Sequence, residues 1–260
     1  MWGLFFIGVA FCASMLFLPG FLQLRAIGLR AAAALACAPI VSLFELNILG
    51  IALGLLGISA AWYGLIGPVA LLSVLAVLVP VFKEHRNAKS DDLALPALPM
   101  RTLILYIMVA VVVTGYYFLL TLDGPESYAQ LFDNAFHMNL IHAFTEAQRY
   151  SLLQATAFPT IPIAAMGDIS FYPAAWHVVA ALCSSALGIS AAMAENIANT
   201  TFVAFVFPLS MALFLGKVFE GKRGLIALGS VATLAFVAFP WGFLVAGPLY
   251  SNLASFAVLP

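Results

Sequence analysis

The sequence predicts an all-α protein that crosses a membrane several times. Three observations support this: the apolar composition, the length of the apolar runs, and the lack of alternation between polar and apolar residues within them. Of its 260 residues, 64% are hydrophobic and 8% are charged, whereas a soluble domain is about 45–50% apolar and about 25% charged. Lipid must therefore surround most of the chain. Backbone groups in lipid are hydrogen-bonded within helices or closed barrels, and apolar runs of about 20 residues without alternation exclude a barrel.

Seven apolar segments are candidates for membrane-spanning helices. A helix needs about 20 residues to cross about 30 Å of hydrocarbon, and every segment approaches that length, although the fifth is short. The first segment is followed, not preceded, by its nearest basic residues, Arg25 and Arg30, so we expect a retained span and not a cleaved signal peptide. The segments cover residues 2–20, 31–56, 60–82, 102–122, 174–190, 198–216 and 224–246.

Basic residues in the loops predict the orientation of these segments. The first loop carries Arg25 and Arg30, and the third carries Lys83, Arg86, Lys89 and Arg101. The positive-inside rule places both loops in the cytoplasm, which leaves the N-terminus and the acidic loop 123–173 outside. The basic stretch "GKVFEGKRG" (216–224) would then be external as well. Either the rule fails there, or one of the segments between 174 and 216 does not cross the membrane.

The polar stretch "KEHRNAKSDDLALPALP", which begins at Lys83, divides the chain. Its charges and prolines are typical of a linker. We therefore predict a three-span membrane module (1–82), a cytoplasmic linker (83–101) and a second membrane module (102–260), as parts of a multi-pass protein of the cell membrane. The net charge of −1 gives no electrostatic support for nucleic-acid binding.

The external loop 123–173 is long enough to predict a function or structure of its own. Residues 128–150 contain neither glycine nor proline and carry an apolar stripe of Phe132, Phe136, Leu140 and Phe144. This pattern predicts an amphipathic helix at the membrane interface. Asp133 and His137 share one face of that helix, about 5–6 Å apart, and Asn134 lies on the same polar edge. The simpler interpretation is a solvated helix face with a local charge pair.

After this helix, Pro159, Pro162 and Gly167 predict a folded-back or re-entrant segment. It ends at Tyr172 and Trp176, which suit the membrane–water interface as aromatic anchors. His177 follows within about a turn of the bilayer surface, and we expect it near the helix that carries Asp133. Asp133 and His137, with His177, could hold a divalent cation such as Mg or Mn, since such ions take oxygen ligands and tolerate imidazole.

Glu45 is the one acidic residue deep in an apolar segment. It lies about 22 Å beyond Arg30 along a helix at 1.5 Å per residue. An ionisable group at that depth normally faces protein or water. Either Glu45 is paired with Asn47 or with a neighbouring helix, or it lines a ligand cavity.

The motif "DNAFHMNLIHAF" (133–144), followed by "FYPAAWH" (171–177) and "PWGF" (240–243), resembles a family of large, uncharacterised bacterial multi-span membrane proteins. These are similar to the GT-C superfamily of lipid-sugar-dependent glycosyltransferases. The resemblance covers roughly residues 120–245 and implies a GT-C-like fold for the second module. Because the chain stops in the apolar run "ASFAVLP", we expect a fragment of a longer protein.

The resemblance implies a membrane glycosyltransferase that uses a polyprenyl-phosphate sugar donor at the outer membrane face. Its partners would be membrane lipid and the lipid-linked sugar. Asp133 matches the loop aspartate of the family and would act as base, with His137 orienting it. His137, Tyr172, Pro173 and His177 match other positions of the family motif. Beyond the resemblance, we expect Asn134, Tyr172, Trp176, His177 and Glu45 to bind the substrate. The alternative is a non-catalytic scaffold or transporter component of cell-envelope assembly.

Overall fold

The computed structural model of the chain describes residues 1–78, 95–155 and 171–259. Every regular element in these ranges is helical, which confirms the predicted all-α class. The predicted linker up to residue 94, the end of the third predicted span and the folded-back segment at Pro159–Gly167 lie outside the described residues. The helices are α1 (Trp2–Ala26), α2 (Ala31–Leu55), α3 (Trp62–Leu78), α4 (Met100–Tyr117), α5 (Phe132–Ala147), α6 (Ala175–Leu187), α7 (Ala191–Thr201), α8 (Phe207–Val218), α9 (Arg223–Ala232), α10 (Gly242–Val245) and α11 (Tyr250–Val258).

Within the described ranges, five helical segments are long and apolar enough to cross a membrane. These segments are Trp2–Ala26, Ala31–Leu55, Met100–Thr121, Ala191–Val218 and Arg223–Val245. The fourth joins α7 and α8 through the π-helical turn Phe202–Val206, and the fifth is interrupted between α9 and α10. The remaining two predicted spans correspond to shorter apolar helices, α3 and α6. The count of seven crossings therefore stays a prediction.

The helix α6 is short because the chain turns directly after it. Gly188 ends the helix in the left-handed conformation at φ 63°, which glycine adopts without steric penalty. Ser190 then begins α7, and its Oγ accepts a hydrogen bond from the Met193 N–H, as N-cap serines do. The 13 residues of α6 extend about 20 Å at 1.5 Å per residue. This length is less than the hydrocarbon core of about 30 Å.

Three basic loops meet at one end of the helical bundle. Arg30, Arg101 and Arg223 line a single cavity of about 820 Å³, which we call the arginine cavity. The loop 216–224 therefore lies at the same end as the first loop and the end of the linker. This arrangement agrees with the sequence alternative in which one segment between 174 and 216 does not cross, and α6 is the short one.

Close contacts between helix backbones hold the bundle together. The Gly20 N–H donates to Ser42 Oγ at 2.9 Å, and a Cβ atom on Gly20 would lie 2.2 Å from the Ala38 carbonyl oxygen. Small residues of this kind are typical of helix packing in membranes. One hydrophobic core takes side chains from α1–α3 and from the later helices, so the two predicted modules pack against each other. The boundary between them stays a prediction.

Candidate functional site

The helix α5 lies at the end of the bundle opposite the arginine cavity. The helix α2 starts next to Arg30 and ends at Leu55, roughly 37 Å away at 1.5 Å per residue. The loop after α2 contacts the end of α5, where the Ala60 N–H donates to the Gln148 carbonyl oxygen at 2.9 Å. The predicted helix in the loop 123–173 is therefore confirmed as α5, and it lies at this end of the bundle.

The polar side chains at the start of α5 point in two directions. Asp133 is exposed, whereas Asn134 and His137 are 0% and 4% exposed. The prediction that all three share one exposed polar edge is therefore wrong for two of them. The reason is that α6 and α7 pack over that side of α5. The interpretation as a solvated face holds for Asp133 alone.

His137 and His177 form a buried pair, although 40 residues separate them in the sequence. His137 Nδ1 lies 2.8 Å from His177 Nε2, and the His177 side chain is 0% exposed. The other nitrogen of His137, Nε2, lies 2.9 Å from the carbonyl oxygen of Pro248. The expected proximity of His177 to the helix of Asp133 is thus present, and the chain at Pro248 closes the pair from the far side.

The hydrogen bonds fix the proton positions in this pair. A carbonyl oxygen only accepts, so His137 Nε2 carries a proton and donates to Pro248. Burial lowers the pKa of His137, against smaller opposing effects of the Pro248 carbonyl and the Asp133 charge. In neutral His137 the Nδ1 atom is an acceptor, so His177 Nε2 donates to it. His177 Nδ1 is then an acceptor, and it has no hydrogen-bond partner among the described residues.

A second buried pair, Glu195 and Tyr250, lies next to the histidine pair. The Tyr250 ring stacks on Trp176 with centroids 4.6 Å apart and lies 4.9 Å from the His137 ring. Its hydroxyl donates to Glu195 Oε1 at 2.8 Å. Glu195 is 1% exposed, and Oε2 accepts no hydrogen bond within the described part of the chain. Burying a carboxyl group is costly, and buried titratable groups are frequent at functional sites.

Sequence reasoning missed Glu195 and Tyr250. Glu195 precedes the predicted span 198–216, and Tyr250 follows the last one. Ser190 was the available signal for Glu195: a serine is a preferred N-cap, so a helix beginning at Ala191 would have included the glutamate. No local signal predicts that Tyr250 returns to contact it.

An open cavity beside Asp133 connects this site to the surface. Its volume is about 590 Å³, and we call it the aspartate cavity. Asp133 Oδ2 lies beside Gly247 at its edge. Burial raises the pKa of Tyr172, so this phenol stays protonated at neutral pH. The cavity is lined by Phe132, Asp133, Ala135, Phe136, His137, Asn139, Tyr172, Pro248, Leu249, Ser251 and Asn252.

Another cavity, of about 360 Å³, lies on the other side of Tyr250; we call it the glutamate cavity. Glu195 and Asp123 both line it, together with the ring of Trp241. The Asn196 side chain at its wall donates to the carbonyl oxygens of Pro125 and Ser127 at 3.1 and 2.6 Å. The site thus has two openings, which are separated by the aromatic rings around Tyr250.

Four of the sequence-predicted site residues do not line the aspartate cavity: Glu45, Asn134, Trp176 and His177. Glu45 Oε2 accepts a hydrogen bond from Gln23 Nε2 at 2.9 Å, and the same amide donates to Ser73 at 3.1 Å. Gln23 of α1 therefore joins Glu45 of α2 to Ser73 of α3, which agrees with the interpretation of Glu45 as paired with a neighbouring helix. Trp176 is 0% exposed, and it packs against Tyr250 instead of facing the membrane as an anchor.

The described residues do not fit the predicted divalent-cation site. Among them, no group of three or more His, Cys, Asp or Glu side chains is arranged to hold a metal ion. Both nitrogens of His137 are engaged, with His177 and with the Pro248 carbonyl. The acidic residue Asp168 of the same loop lies outside the described ranges.

These features fit a helical membrane protein with a buried polar site at one end of its spans. The chain belongs to a family of unknown function, DUF6541, whose model matches residues 13–260. The matched region begins inside the first helix, α1. It is therefore longer at its N-terminal side than the region 120–245 that carries the resemblance. Comparisons with curated proteins and with solved structures found no match.

Proposed function

We propose that this protein is a membrane glycosyltransferase that moves a sugar from a polyprenyl-phosphate donor to an acceptor hydroxyl. The observation that carries the proposal is that Asp133 and His137 line the same open cavity of about 590 Å³. The lining of that cavity includes both aromatic rings, from Phe136 and Tyr172, and a polar amide, from Asn139, and a sugar headgroup could contact both kinds of group. The GT-C resemblance of the loop motif supports the same activity.

In the proposed reaction, Asp133 acts as the general base. Its exposed carboxylate takes the proton of the acceptor hydroxyl while the acceptor oxygen bonds to the anomeric carbon of the sugar. The bond from that carbon to the phosphate oxygen breaks, and the polyprenyl phosphate leaves with the electron pair. Exposed apolar side chains near the cavity, such as Leu249 at its rim, would contact the prenyl chain.

His137 has a positioning role in this proposal. Its two ring nitrogens are held by His177 and by the Pro248 carbonyl, so its ring is fixed at the wall of the cavity. It stands four residues after Asp133 on the same helix. The rigid ring would orient the substrate headgroup against the carboxylate without exchanging a proton with it.

The proposed orientation places the aspartate cavity at the external membrane face. The arginine cavity lies at the other end of the bundle and carries Arg30, Arg101 and Arg223. The positive-inside rule assigns such an end to the cytoplasm. A lipid-linked sugar donor exposed on the outer face would then reach Asp133 directly from the membrane.

The test is sugar transfer by membranes that contain the full-length protein. Asp133→Asn keeps the shape of the side chain but removes its basicity, so transfer should fall by about 10²–10⁴-fold. Glu146→Gln is the matched control, because Glu146 is an exposed acid on the same helix that does not line the aspartate cavity. Both variants should reach the parental yield of folded protein. Transfer at the parental rate by Asp133→Asn would refute the proposed role.

A transporter component is the second candidate, because the structure has more buried polarity than the sequence indicated. Glu195 is buried inside the apolar segment Ala191–Val218, and the segment Arg223–Val245 is interrupted. Buried charges and broken helices are typical of transport sites. A transporter should lose substrate flux in proteoliposomes on Glu195→Gln and should show no sugar transfer in the parental protein.

A further inference from the structure

The glutamate cavity takes no part in the proposed sugar transfer, because neither Asp133 nor His137 lines it. Two acidic residues from separate parts of the chain do line it, Glu195 and Asp123, and none of the described residues in its wall is basic. Asp123 is exposed and Glu195 is buried. The fold therefore brings one exposed and one buried acidic group to the same small cavity.

The buried carboxyl group of Glu195 lacks a hydrogen-bond donor. Its side chain is 1% exposed. Oε1 accepts from the Tyr250 hydroxyl at 2.8 Å, whereas Oε2 has no partner within the described ranges. The Asn134 amide lies near this carboxyl group but donates to the carbonyl oxygen of Ala129 at 3.0 Å. Burying a carboxylate without enough donors is costly, and a cationic donor in the cavity would offset that cost.

Aromatic rings form much of the remaining wall, from Trp241, Tyr117, Tyr128 and Tyr250. The Trp241 ring is held in place because its Nε1–H donates to the Leu234 carbonyl oxygen at 3.0 Å. Its centroid lies 5.8 Å from that of the Tyr117 ring. The face of an aromatic ring attracts an ammonium group, and tryptophan does so most strongly. The rings therefore favour the same sign of charge as the two acidic residues.

The end of α4 adds a third preference for positive charge. The helix ends at Tyr117 and has no basic residue in its last turn. Phe118 and Thr121, which follow it directly, line the glutamate cavity. The C-terminus of a helix carries a partial negative charge, so cations are favoured there. Two carboxyl groups, several aromatic rings and a helix C-terminus thus meet at one cavity.

The available donors indicate an organic cation and not a metal ion. A divalent ion such as Ca²⁺ takes about six to eight oxygen ligands, whereas no group of three or more His, Cys, Asp or Glu in the described part of the chain can hold a metal. An alkylammonium group donates at most about three hydrogen bonds, and its carbon atoms can pack on the rings. The volume of about 360 Å³ equals about twelve water molecules at about 30 Å³ each, which is enough for a small headgroup.

We infer that the glutamate cavity binds an alkylammonium group, with Glu195 and Asp123 as its anionic partners and the Trp241 ring against the cation. The group can belong to a soluble amine or to a lipid headgroup such as that of phosphatidylethanolamine. Both sources can reach the cavity, because the exposed apolar side chain of Val245 lines it. The inference does not depend on the sugar-transfer activity, since the site is separate from Asp133 and its test measures binding alone.

The experiment measures the binding of ethanolamine to the purified full-length protein in neutral detergent. Isothermal titration calorimetry gives the affinity, and the thermal midpoint is recorded in parallel. Sodium chloride at the same ionic strength and calcium chloride are the comparison probes. Ethanolamine should bind saturably and raise the thermal midpoint, and neither salt should do so. Glu195→Gln should weaken ethanolamine binding about tenfold or more, because a charge-assisted hydrogen bond is lost. Trp241→Leu should weaken it about two- to fivefold.

The matched control is Glu146→Gln. Glu146 is an exposed acid at the same end of the bundle that does not line the glutamate cavity, so ethanolamine affinity should change less than about twofold. Equal losses in Glu146→Gln and Glu195→Gln would refute a specific site and indicate general surface charge. Equal responses to ethanolamine and to either salt would also overturn the inference. If Glu195→Gln does not fold, Asp123→Asn at the exposed acid gives a second reading: it should weaken binding about two- to fivefold, and unchanged affinity would contradict the site.

A competition measurement distinguishes the two sources of the ammonium group. Phosphatidylethanolamine is added to the ethanolamine titration, and phosphatidylglycerol, which has no ammonium group, is added to a parallel one. Competition by phosphatidylethanolamine alone would support the site and assign it to a lipid headgroup. Ethanolamine binding that neither lipid reduces would support the site and assign it to a soluble amine. If neither ethanolamine nor phosphatidylethanolamine binds the parental protein, the inference is wrong.

Discussion

The buried hydrogen bond between Tyr250 and Glu195 allows a quantitative test of the site. Tyr250→Phe removes only the hydroxyl that donates to Glu195 Oε1 at 2.8 Å, and it keeps the ring that stacks on Trp176. The Glu195 side chain is 1% exposed, so loss of the hydroxyl leaves a buried carboxyl oxygen with one hydrogen-bond donor fewer. A buried polar group left without its partner costs about 1–3 kcal/mol. We expect the free energy of unfolding to fall by that amount.

The double-mutant cycle attributes this loss to the pair. In a Glu195→Leu background the hydroxyl of Tyr250 has no carboxylate to bond, so Tyr250→Phe should cost less than about 1 kcal/mol. The coupling energy between the two positions should then be about 1 kcal/mol or more. Glu195→Gln keeps an acceptor oxygen and should retain most of the coupling, which provides a second reading if Glu195→Leu does not fold.

The assay is unfolding of the purified protein in mixed micelles by titration with SDS. Tyr116→Phe is the control. The Tyr116 side chain is 64% exposed, so removing its hydroxyl should change the free energy of unfolding by less than about 0.5 kcal/mol. Tyr250→Phe could lower the free energy of unfolding by the same amount in the parental protein and in the Glu195→Leu background. Tyr250 and Glu195 would then not be coupled. The picture of one buried polar network would then be wrong.

Two further predictions concern stability. Because burial lowers the pKa of His137 below its usual value of about 6.5, the unfolded chain binds a proton where the folded chain does not. Stability should therefore fall as pH is lowered from 7 to 5, by at most about 1.4 kcal/mol per pH unit for this group. His137→Gln should flatten that slope in thermal unfolding, and an unchanged slope would contradict a neutral His137. Gly20→Ala should destabilise by about 1–3 kcal/mol through overpacking, whereas Gly3→Ala, whose Cβ would meet nothing within 4 Å, should be neutral or slightly stabilising. Equal midpoints for the two alanine variants would contradict the close approach of α1 and α2.

The sequence predicted the helices well where the signal was local. The apolar runs located the five long segments, and the absence of glycine and proline between residues 128 and 150 predicted α5, whose observed bounds are Phe132–Ala147. The pattern did not predict which face of α5 is buried. Phe132 belongs to the apolar stripe yet is 90% exposed, while His137 belongs to the polar edge yet is buried. Which face is covered depends on the helices that pack on it, and those come from distant parts of the chain.

The Glu195–Tyr250 pair, which the sequence did not predict, is a contact between residues far apart in the chain. Tyr250 contacts Glu195, 55 residues away, because the chain turns back at Gly247, where φ is 78°. A Gly-Pro pair in the sequence indicates a turn, but it does not tell which helix the turned chain will reach. Hydrophobic periodicity also predicts Glu195 as a loop residue, since the span was expected to begin later.

The proton positions in the histidine pair bear on which side chain could act as a base in the aspartate cavity. The Nε2 proton of His137 is donated to Pro248, and its Nδ1 lone pair accepts from His177. Neither nitrogen is then available to take a proton from a bound hydroxyl. Tyr172 is protonated at neutral pH because burial raises its pKa. Among the described side chains that line this cavity, Asp133 is the remaining titratable group, and it is exposed. If the cavity performs sugar transfer, the proton must go to Asp133, and His137 can act only through position.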